Sequence, residues 1–430
     1  MSEVQPQPQP EFRSRAELRA QSNGSAPTAP VARHGRLRKN GPWGAIAKFV
    51  AAGLAVVLVS GASVAAIAFN SVYSKRTVVT LVGETEGPPP QIGAIPGGFN
   101  ILIVGSDTRE GQGGIGGSTD DAEGVLNDVN ILLHVAQDQQ SAVAISFPRD
   151  MVVGIPECEW QDGSGTKGYS TEPINVSLFY GGLPCAVLTV QELTGLPIQF
   201  AGMITFQGVI SMTDAIGGVD VCITDPMYDP YTGIDLPTAG TWSLSGETAL
   251  AFLRSRHGVG DGSDLTRISS QQVYLSSLVR TLKSGETLGD VKKLYNLANA
   301  ALSSMTLSSG LADPSTMVSI ALALKDIPLE RVTFVQYPGR TGGEGIYAGK
   351  VRPDRATGDA MMALIAADQP FVLEQTTDGS GAVVDPNAPV PEVDPTAVPI
   401  DNSGLPVVSG VRGQTAADYS CSVTQVAYAD

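Results

Sequence analysis

"FNILIVGSDTREG", Phe99–Gly111, decides how this chain is read. "FNILIV" is too short for an ordinary helix and rich in Ile and Val, and it stops at the turn residues Gly105, Ser106 and Asp107. It reads as a buried strand. "VNILLHV" (Val129–Val135) and "AVAISF" (Ala142–Phe147) repeat the pattern, and "VDVCI" (Val219–Ile223) and "VTFVQYP" (Val332–Pro338) look similar. Helical patterns intervene. "PCAVLTVQELTG" (Pro184–Gly195) ends at a Gly cap, and "TFQGVISMTDAIGG" (Thr205–Gly218) ends at a Gly pair. Strands alternating with helices predict an α/β layered fold with helices on both faces of the sheet. Ligands in such sheets bind at the strand ends.

Charges of both signs stand at those ends. Asp107 and Arg109 follow the first strand, Asp128 precedes the second, and Arg149 and Asp150 follow the third. A further run, "FLRSRHGVGDGSDLTRISSQQ" (Phe252–Gln272), gathers Arg254, Arg256 and Arg267 in a chain with 27 Lys plus Arg against 43 Asp plus Glu. Ser263 or Asp264 can cap a helix there, with Ile268, Gln272, Leu275 and Val279 as its core stripe and Asp264, Arg267 and Gln271 on another face. Arg254 and Arg256 converge only if the preceding helix stops near them, as "HGVGDG" predicts. Convergent guanidinium forks match phosphate oxygens. The alternative is surface pairing with Asp261 and Asp264, worth about 0–1 kcal/mol per exposed pair. On the phosphate reading, Arg267 contacts ligand more than core.

The chain of 430 residues, 42% hydrophobic, can bury one large domain or two ordinary ones. "FVAAGLAVVLVSGASVAAIAFNSVYS" (Phe49–Ser74) has no charged residue and is long enough to cross a bilayer as one helix. Residues 1–48 carry eight Lys or Arg against three Glu, whereas the rest carries 19 against 40, a net of −21. The basic flank keeps the amino terminus in the cytoplasm and places everything after Ser74 outside. A cleaved signal peptide would need a shorter apolar core behind a short basic start, and 48 residues precede this one. The expected organisation is a disordered cytoplasmic tail at 1–48, a membrane helix at 49–74, a linker at 75–98, a catalytic domain at 99–374 and a Pro/Gly/Asp-rich tail at 375–430. Cys158, Cys185, Cys222 and Cys421 all lie beyond the membrane helix, where disulfides are permitted. Four cysteines allow three pairings. Cys158 with Cys185 would clip a Gly-rich excursion shut, and Cys222 reads otherwise as a buried thiol.

Only His134 and His257 lie beyond the membrane run, so a His-rich zinc site is excluded, and carboxylate oxygens suit Mg²⁺ or Mn²⁺. Asp107 and Asp128 are the candidate ligands; Asp128 could equally be a strand-entry turn residue. "GQGGIGG" holds Gly111, Gly113 and Gly116 in a dinucleotide-like spacing but runs into "STDDAE" instead of a helix, which argues against a nucleotide site.

Taken in order, "NILIVGSDTREG", "NDVNILLHV", "ISFPRD", "INVSLFYGG", "AIGGVDV", "LSGETALAFLRSR" and "DLTRISSQQ" resemble the motifs of the LytR-CpsA-Psr proteins of Gram-positive cell walls. The likeness covers roughly Phe99–Gly285. It implies a three-layer α/β/α domain with a mixed central sheet behind one transmembrane helix. It further implies a phosphotransferase, with pyrophosphatase activity a possible accompaniment, that moves a glycopolymer from a polyprenyl-pyrophosphate carrier to the C6 hydroxyl of N-acetylmuramic acid in peptidoglycan. On this resemblance Asp107 and Asp128 hold Mg²⁺, and Arg109, Arg149, Arg254, Arg256, Arg267 and Gln271 bind the pyrophosphate. Asp107, Arg149, Asp150 and Arg267 are the catalytic candidates, Asp107 and Asp150 competing as base. Asn127 and Ser270 stand where the family often has Arg. A nucleic-acid regulator conflicts with an external net charge of −21. A non-catalytic lipid-binding or regulatory protein is the other alternative, and two retained aspartates argue for chemistry.

Overall fold

The computed structural model describes residues 76–83, 97–108, 125–284, 291–374, 381–388 and 402–425, with scattered positions between 46 and 74. The tail at 1–45, the Gly-rich segment with Arg109, and most of the 75–98 linker lie outside the described residues. Every described position from Ile46 to Tyr73 is helical and exposed. Among the described residues, Ile174–Thr194 is the one helix long and apolar enough to cross a membrane, and it packs inside the domain.

The elements that build the site are, in chain order, strands β1 (Thr77–Val79), β2 (Phe99–Ser106), β3 (Asn127–Val135), β4 (Ala142–Ser146), β5 (Val152–Ile155) and β6 (Ser170–Pro173) and helix α1 (Ser177–Thr194). Next come β7 (Phe200–Ile204), α2 (Phe206–Ile216), β8 (Val219–Ile223), β9 (Gly240–Leu244), α3 (Gly246–Arg254) and α4 (Asp264–Lys283). They are followed by α5 (Val291–Ser304), β10 (Met305–Ser308), α6 (Pro314–Lys325), β11 (Val332–Gln336), β12 (Gly339–Thr341), β13 (Val351–Pro353) and α7 (Arg355–Ala366). Strands β14 (Ala382–Val384), β15 (Gly413–Thr415) and β16 (Ser420–Ser422) close the chain.

The central sheet has eight strands in the order β1-β10-β7-β2-β3-β4-β11-β15. It is mixed: β2 pairs parallel with β7 and β4 with β11, while β3 runs antiparallel between β2 and β4. Alternate side chains divide into two cores, as a pleat requires. Leu102, Val104, Leu132 and Ile145 face α1 and Met361 and Ile365 of α7. Ile101, Ile103, Leu133 and Phe334 face Leu302 of α5, Ile320 of α6 and Leu275 and Val279 of α4. Helices therefore cover both faces, giving three α/β/α layers. The helix caps follow their sequences: Thr205 accepts from the Gly208 N–H, Ser263 accepts from the Thr266 N–H, and Gly195 and Gly217 end their helices at positive φ.

The ordered domain does not stop at Glu374. Strand β15 pairs with β11 at the edge of the central sheet, and β16 pairs with β8 in a second sheet ordered β9-β8-β16-β14. These strands have three residues each, and it is partners distant in sequence that hold them. Cys158 is bonded to Cys185 as expected. Cys222 is not a free thiol: it is bonded to Cys421, its direct neighbour across the β8–β16 pair. The structure thus clips the carboxy-terminal segment to the domain across 199 residues.

Candidate active site

Strands β2 and β4 run one way and β3 the other, so the end of β2, the start of β3 and the end of β4 meet at one end of the central strands. A register shift between Gly105 and Ser106 re-aims the chain just before Asp107. Gly105 is required there, because a Cβ would lie 2.9 Å from Cβ of Val129. Asp107 is then fixed by two bonds to Leu126: its N–H donates to the Leu126 carbonyl at 3.1 Å and its carboxylate accepts the Leu126 N–H at 2.8 Å. Arg149 and Asp150 occupy the turn after β4. Helix α3 ends at Arg254 and Ser255 is extended, so the chain turns out of the helix between Arg254 and Arg256, and both border one cavity.

Asp264, at the start of α4, is the centre of the cluster. Its Oδ1 accepts from Arg267 at 2.7 Å and Arg256 at 2.9 Å, and its Oδ2 accepts the Arg149 N–H at 3.1 Å. Arg149 also donates to Asp128 at 2.5 Å and lies 3.5 Å from Asp150. Arg267 donates to the Asp128 carbonyl at 3.0 Å. Arg267 is therefore buried, 5% exposed, with its guanidinium held by protein groups; the reading from sequence expected this side chain to contact ligand more than core. Pairing with Asp264 occurs, as the surface alternative supposed, but in a buried setting: the Asp264 side chain is 7% exposed.

A cavity of about 450 Å³ opens beside this cluster. Asp128, Arg149, Arg254, Arg256, Arg267 and Gln271 line its charged part; Ile103 and Ile131 of the sheet, Val209, Met212 and Ile216 of α2, and Leu250, Leu253, Leu275 and Leu278 line its apolar part. Gln271 is anchored to the Leu253 carbonyl at 2.8 Å, and Arg254 lies over the Phe206 ring at 4.3 Å. Sequence could not separate these apolar residues from core, because both show the same helical spacing.

Burial pushes the Asp107 carboxyl up, and the nearby Asp128 charge adds to this against the Leu126 hydrogen bond. Two crowded carboxylates with oxygen donors only are the chemistry a hard divalent cation relieves, so these residues fit Mg²⁺. Burial would raise Asp150 too, but hydrogen bonding to Lys350 at 2.8 Å and the Arg149 charge hold it below the usual range. Lys350 was invisible in the sequence, lying 200 residues from its partner. Asp229 was missed as well. Its carboxylate accepts from Ser255 Oγ at 2.7 Å and from the Arg256 and His257 N–H groups at 3.1 Å each, fixing the turn that carries Arg256. Burial opposes its ionisation, and these bonds outweigh burial and keep it below the usual range. The Asp-rich turn chemistry of "DPMYDP" is the only local signal.

The two departures point elsewhere. Asn127 is buried among Asn130, Ile174 and Ser177, and Ser270 bonds Ser422 at 2.8 Å beside the second sheet. Neither lines the cavity, so neither subtracts a charge from it.

A sequence model of the LytR_cpsA_psr family matches residues 74–357. The cell wall biosynthesis protein LcpA of Corynebacterium glutamicum is 30% identical over 268 residues, 57% of this chain and 51% of its own length. The polyisoprenyl-teichoic acid–peptidoglycan teichoic acid transferase TagT of Bacillus subtilis is 25% identical over 314 residues, 71% of this chain and 89% of its own. The match spans about half the length of the two corynebacterial relatives. A solved Streptococcus agalactiae protein superposes with a TM-score of 0.51 at 19% identity, covering 63% of this chain and 88% of that one, which shows a shared fold.

Proposed function

The chain belongs to the LytR-CpsA-Psr family, and from that premise we propose that it is an Mg²⁺-dependent phosphotransferase of the cell surface. Its donor is a glycopolymer on a polyprenyl-pyrophosphate carrier, and its acceptor is the C6 hydroxyl of N-acetylmuramic acid in peptidoglycan. The observation that carries this reading is one cavity with two chemistries: arginines and carboxylates in one part, aliphatic side chains from three helices and the sheet in the other. A pyrophosphate joined to a prenyl chain has the same division. The names of the relatives, a cell wall biosynthesis protein and a teichoic acid transferase, agree with it.

In the proposed reaction the C6 oxygen bonds to the sugar-linked phosphorus while the P–O–P bridge breaks and polyprenyl phosphate leaves; Arg149, Arg256 and Arg267 bind the non-bridging oxygens of the pyrophosphate, already oriented by Asp264 and Asp128. Arginines fixed before the substrate arrives stabilise developing charge without reorganising. Arg254 and Gln271 border the same space. Asp107 and Asp128 would hold Mg²⁺, which supplies charge neutralisation on the phosphate oxygens when bound. Asp150, ionised and committed to Lys350 and Arg149, positions Arg149 instead of taking a proton. Asp107, which has no such cationic partner among the described residues, is left as the acceptor for the proton of the attacking hydroxyl, through the carboxylate oxygen that the cation would leave free. Without an acceptor glycan, water in its place would give pyrophosphatase activity.

Phe49–Ser74 would anchor the domain outside, with the amino terminus in the cytoplasm, and two disulfides suit that oxidising side. The test is occupancy of the apolar half of the cavity. Leu275→Arg should abolish retention of prenyl-pyrophosphate lipid by the purified protein, read by mass spectrometry of extracted lipid. Retention at the wild-type level would refute the assignment of this cavity.

A further inference from the structure

The ribbon β12–β13 sets Arg340 directly opposite Arg352. Like charges in direct cross-strand pairs destabilise a ribbon, and a local rule broken without structural gain marks function. The Arg340 side chain is 85% exposed, and its ion pair with Asp354 at 3.6 Å is of the exposed, weak kind. The two arginines border a groove of about 560 Å³ together with Arg355, Tyr169 and Tyr347. Among the described residues, three guanidiniums share that groove with one carboxylate, Asp354, in a chain of formal net charge −16.

The aromatic rings are placed with care. Tyr169 is 65% exposed, yet its hydroxyl lies so close over Gly154 that a Cβ there would collide with it. The hydroxyl end of the ring is thus packed on β5. Tyr347 has the Arg352 guanidinium 5.5 Å from its centroid. The ribbon is also fastened to the catalytic turn: the Val351 N–H donates to the Asp150 carbonyl at 3.0 Å, and Lys350 pairs with the Asp150 carboxylate at 2.8 Å. The ribbon that borders the groove is therefore tied to the turn that carries Arg149.

We propose that this groove is a binding subsite for an anionic glycan. Arg340, Arg352 and Arg355 take carboxylates or phosphates along the chain, and Tyr169 and Tyr347 cover the apolar faces of its sugar rings. The inference rests on the transferase reading only for which glycan this is. Carboxylates would come from the acceptor, peptidoglycan with its peptide stems; phosphates would come from the polymer on the donor.

The experiment measures binding of soluble uncrosslinked peptidoglycan strands, a sugar-containing phosphate polymer, poly(N-acetylglucosamine 1-phosphate), and a neutral N-acetylglucosamine oligomer to the full-length protein in detergent. The comparison is an Arg340→Gln/Arg352→Gln double variant. At least one polyanion should bind the wild type, and the variant should bind it tenfold or more weakly. Its melting temperature should be equal or higher, since the opposed charges are gone. The polyanion that responds identifies the source. Polyanion binding within twofold of wild type, or a melting temperature lowered by several degrees with binding intact, overturns the proposal and makes the pair structural. Prenyl-pyrophosphate lipid retention is scored separately. Its failure in the wild type, with polyanion binding intact, removes the transferase reading and leaves the groove standing.

Discussion

Asp264→Asn perturbs the arginine cluster at its centre while keeping the size of the side chain. The carboxylate accepts from Arg267 at 2.7 Å, Arg256 at 2.9 Å and the Arg149 N–H at 3.1 Å, and it is nearly buried. Hydrogen bonds to charged groups contribute roughly 1.5–3 kcal/mol each, against about 1 kcal/mol for neutral ones. An amide offers one acceptor oxygen and turns an NH₂ group towards donors. The Arg256 side chain is 28% exposed, so its share is the smallest. The expected loss is about 3 kcal/mol, or roughly 6 °C in melting temperature for a domain of this size. The three guanidiniums, no longer balanced, should then take an added anion more readily. Inorganic pyrophosphate with Mg²⁺ should raise the melting temperature of the variant by more than that of the wild type. The assay is thermal melting of both proteins with and without pyrophosphate. A variant within about 1 °C of wild type, or no response to pyrophosphate in either protein, would refute the idea that Asp264 holds a phosphate-binding cluster.

Asp229→Ala should cost about 3 kcal/mol, because it leaves the buried Ser255 hydroxyl and the part-buried Arg256 and His257 N–H groups without an acceptor, and urea unfolding measures it. Cys421→Ser opens the longer of the two disulfide loops and should cost up to about 5 kcal/mol on chain-entropy grounds; non-reducing peptide mapping should first show Cys222 linked to Cys421. Truncation after Glu374 removes β15 and β16 and should yield insoluble protein, whereas a soluble, cooperatively melting fragment would contradict the sheet pairing. On acidification the Asp150 and Asp229 carboxyls, held low in the folded state, are protonated first in the unfolded chain. Their stabilisation is complete above about pH 4 and lost as pH falls through the folded values. Asp107, raised by burial, opposes this with a single group. The urea midpoint should therefore fall below about pH 4, and a midpoint that rises there would contradict the hydrogen-bond assignments.

The central strands were legible because each is a short Ile/Val-rich run bounded by turn residues, and the helices because their caps and apolar stripes agree. The arginines at Arg149, Arg256 and Arg267 were legible through their placement at strand and helix ends. What they touch was not: Asp264 reads equally as a cap and as an ion-pair partner until the chain is folded. Lys350 joins Asp150 only through the ribbon that brings it back. Strands β15 and β16, "GQT" and "SCS", have almost no intrinsic strand signal and sit behind a Pro-rich stretch. Arg280, on the same helix as Arg267, donates to the Ala416 and Asp418 carbonyls and pins that same terminal segment, partners that no local pattern around it announces.

The transfer reaction itself is the most direct measurement. Purified full-length protein in detergent, given a polyprenyl-pyrophosphate-linked glycopolymer and peptidoglycan, should form a phosphodiester-linked product with Mg²⁺. Product should be lost on chelation and lowered at least a hundredfold by Arg149→Ala or Arg256→Ala, with lipid retained in the apolar part of the cavity. Lipid bound tightly but never turned over, with or without Mg²⁺, would contradict the account and make the protein a carrier of the lipid.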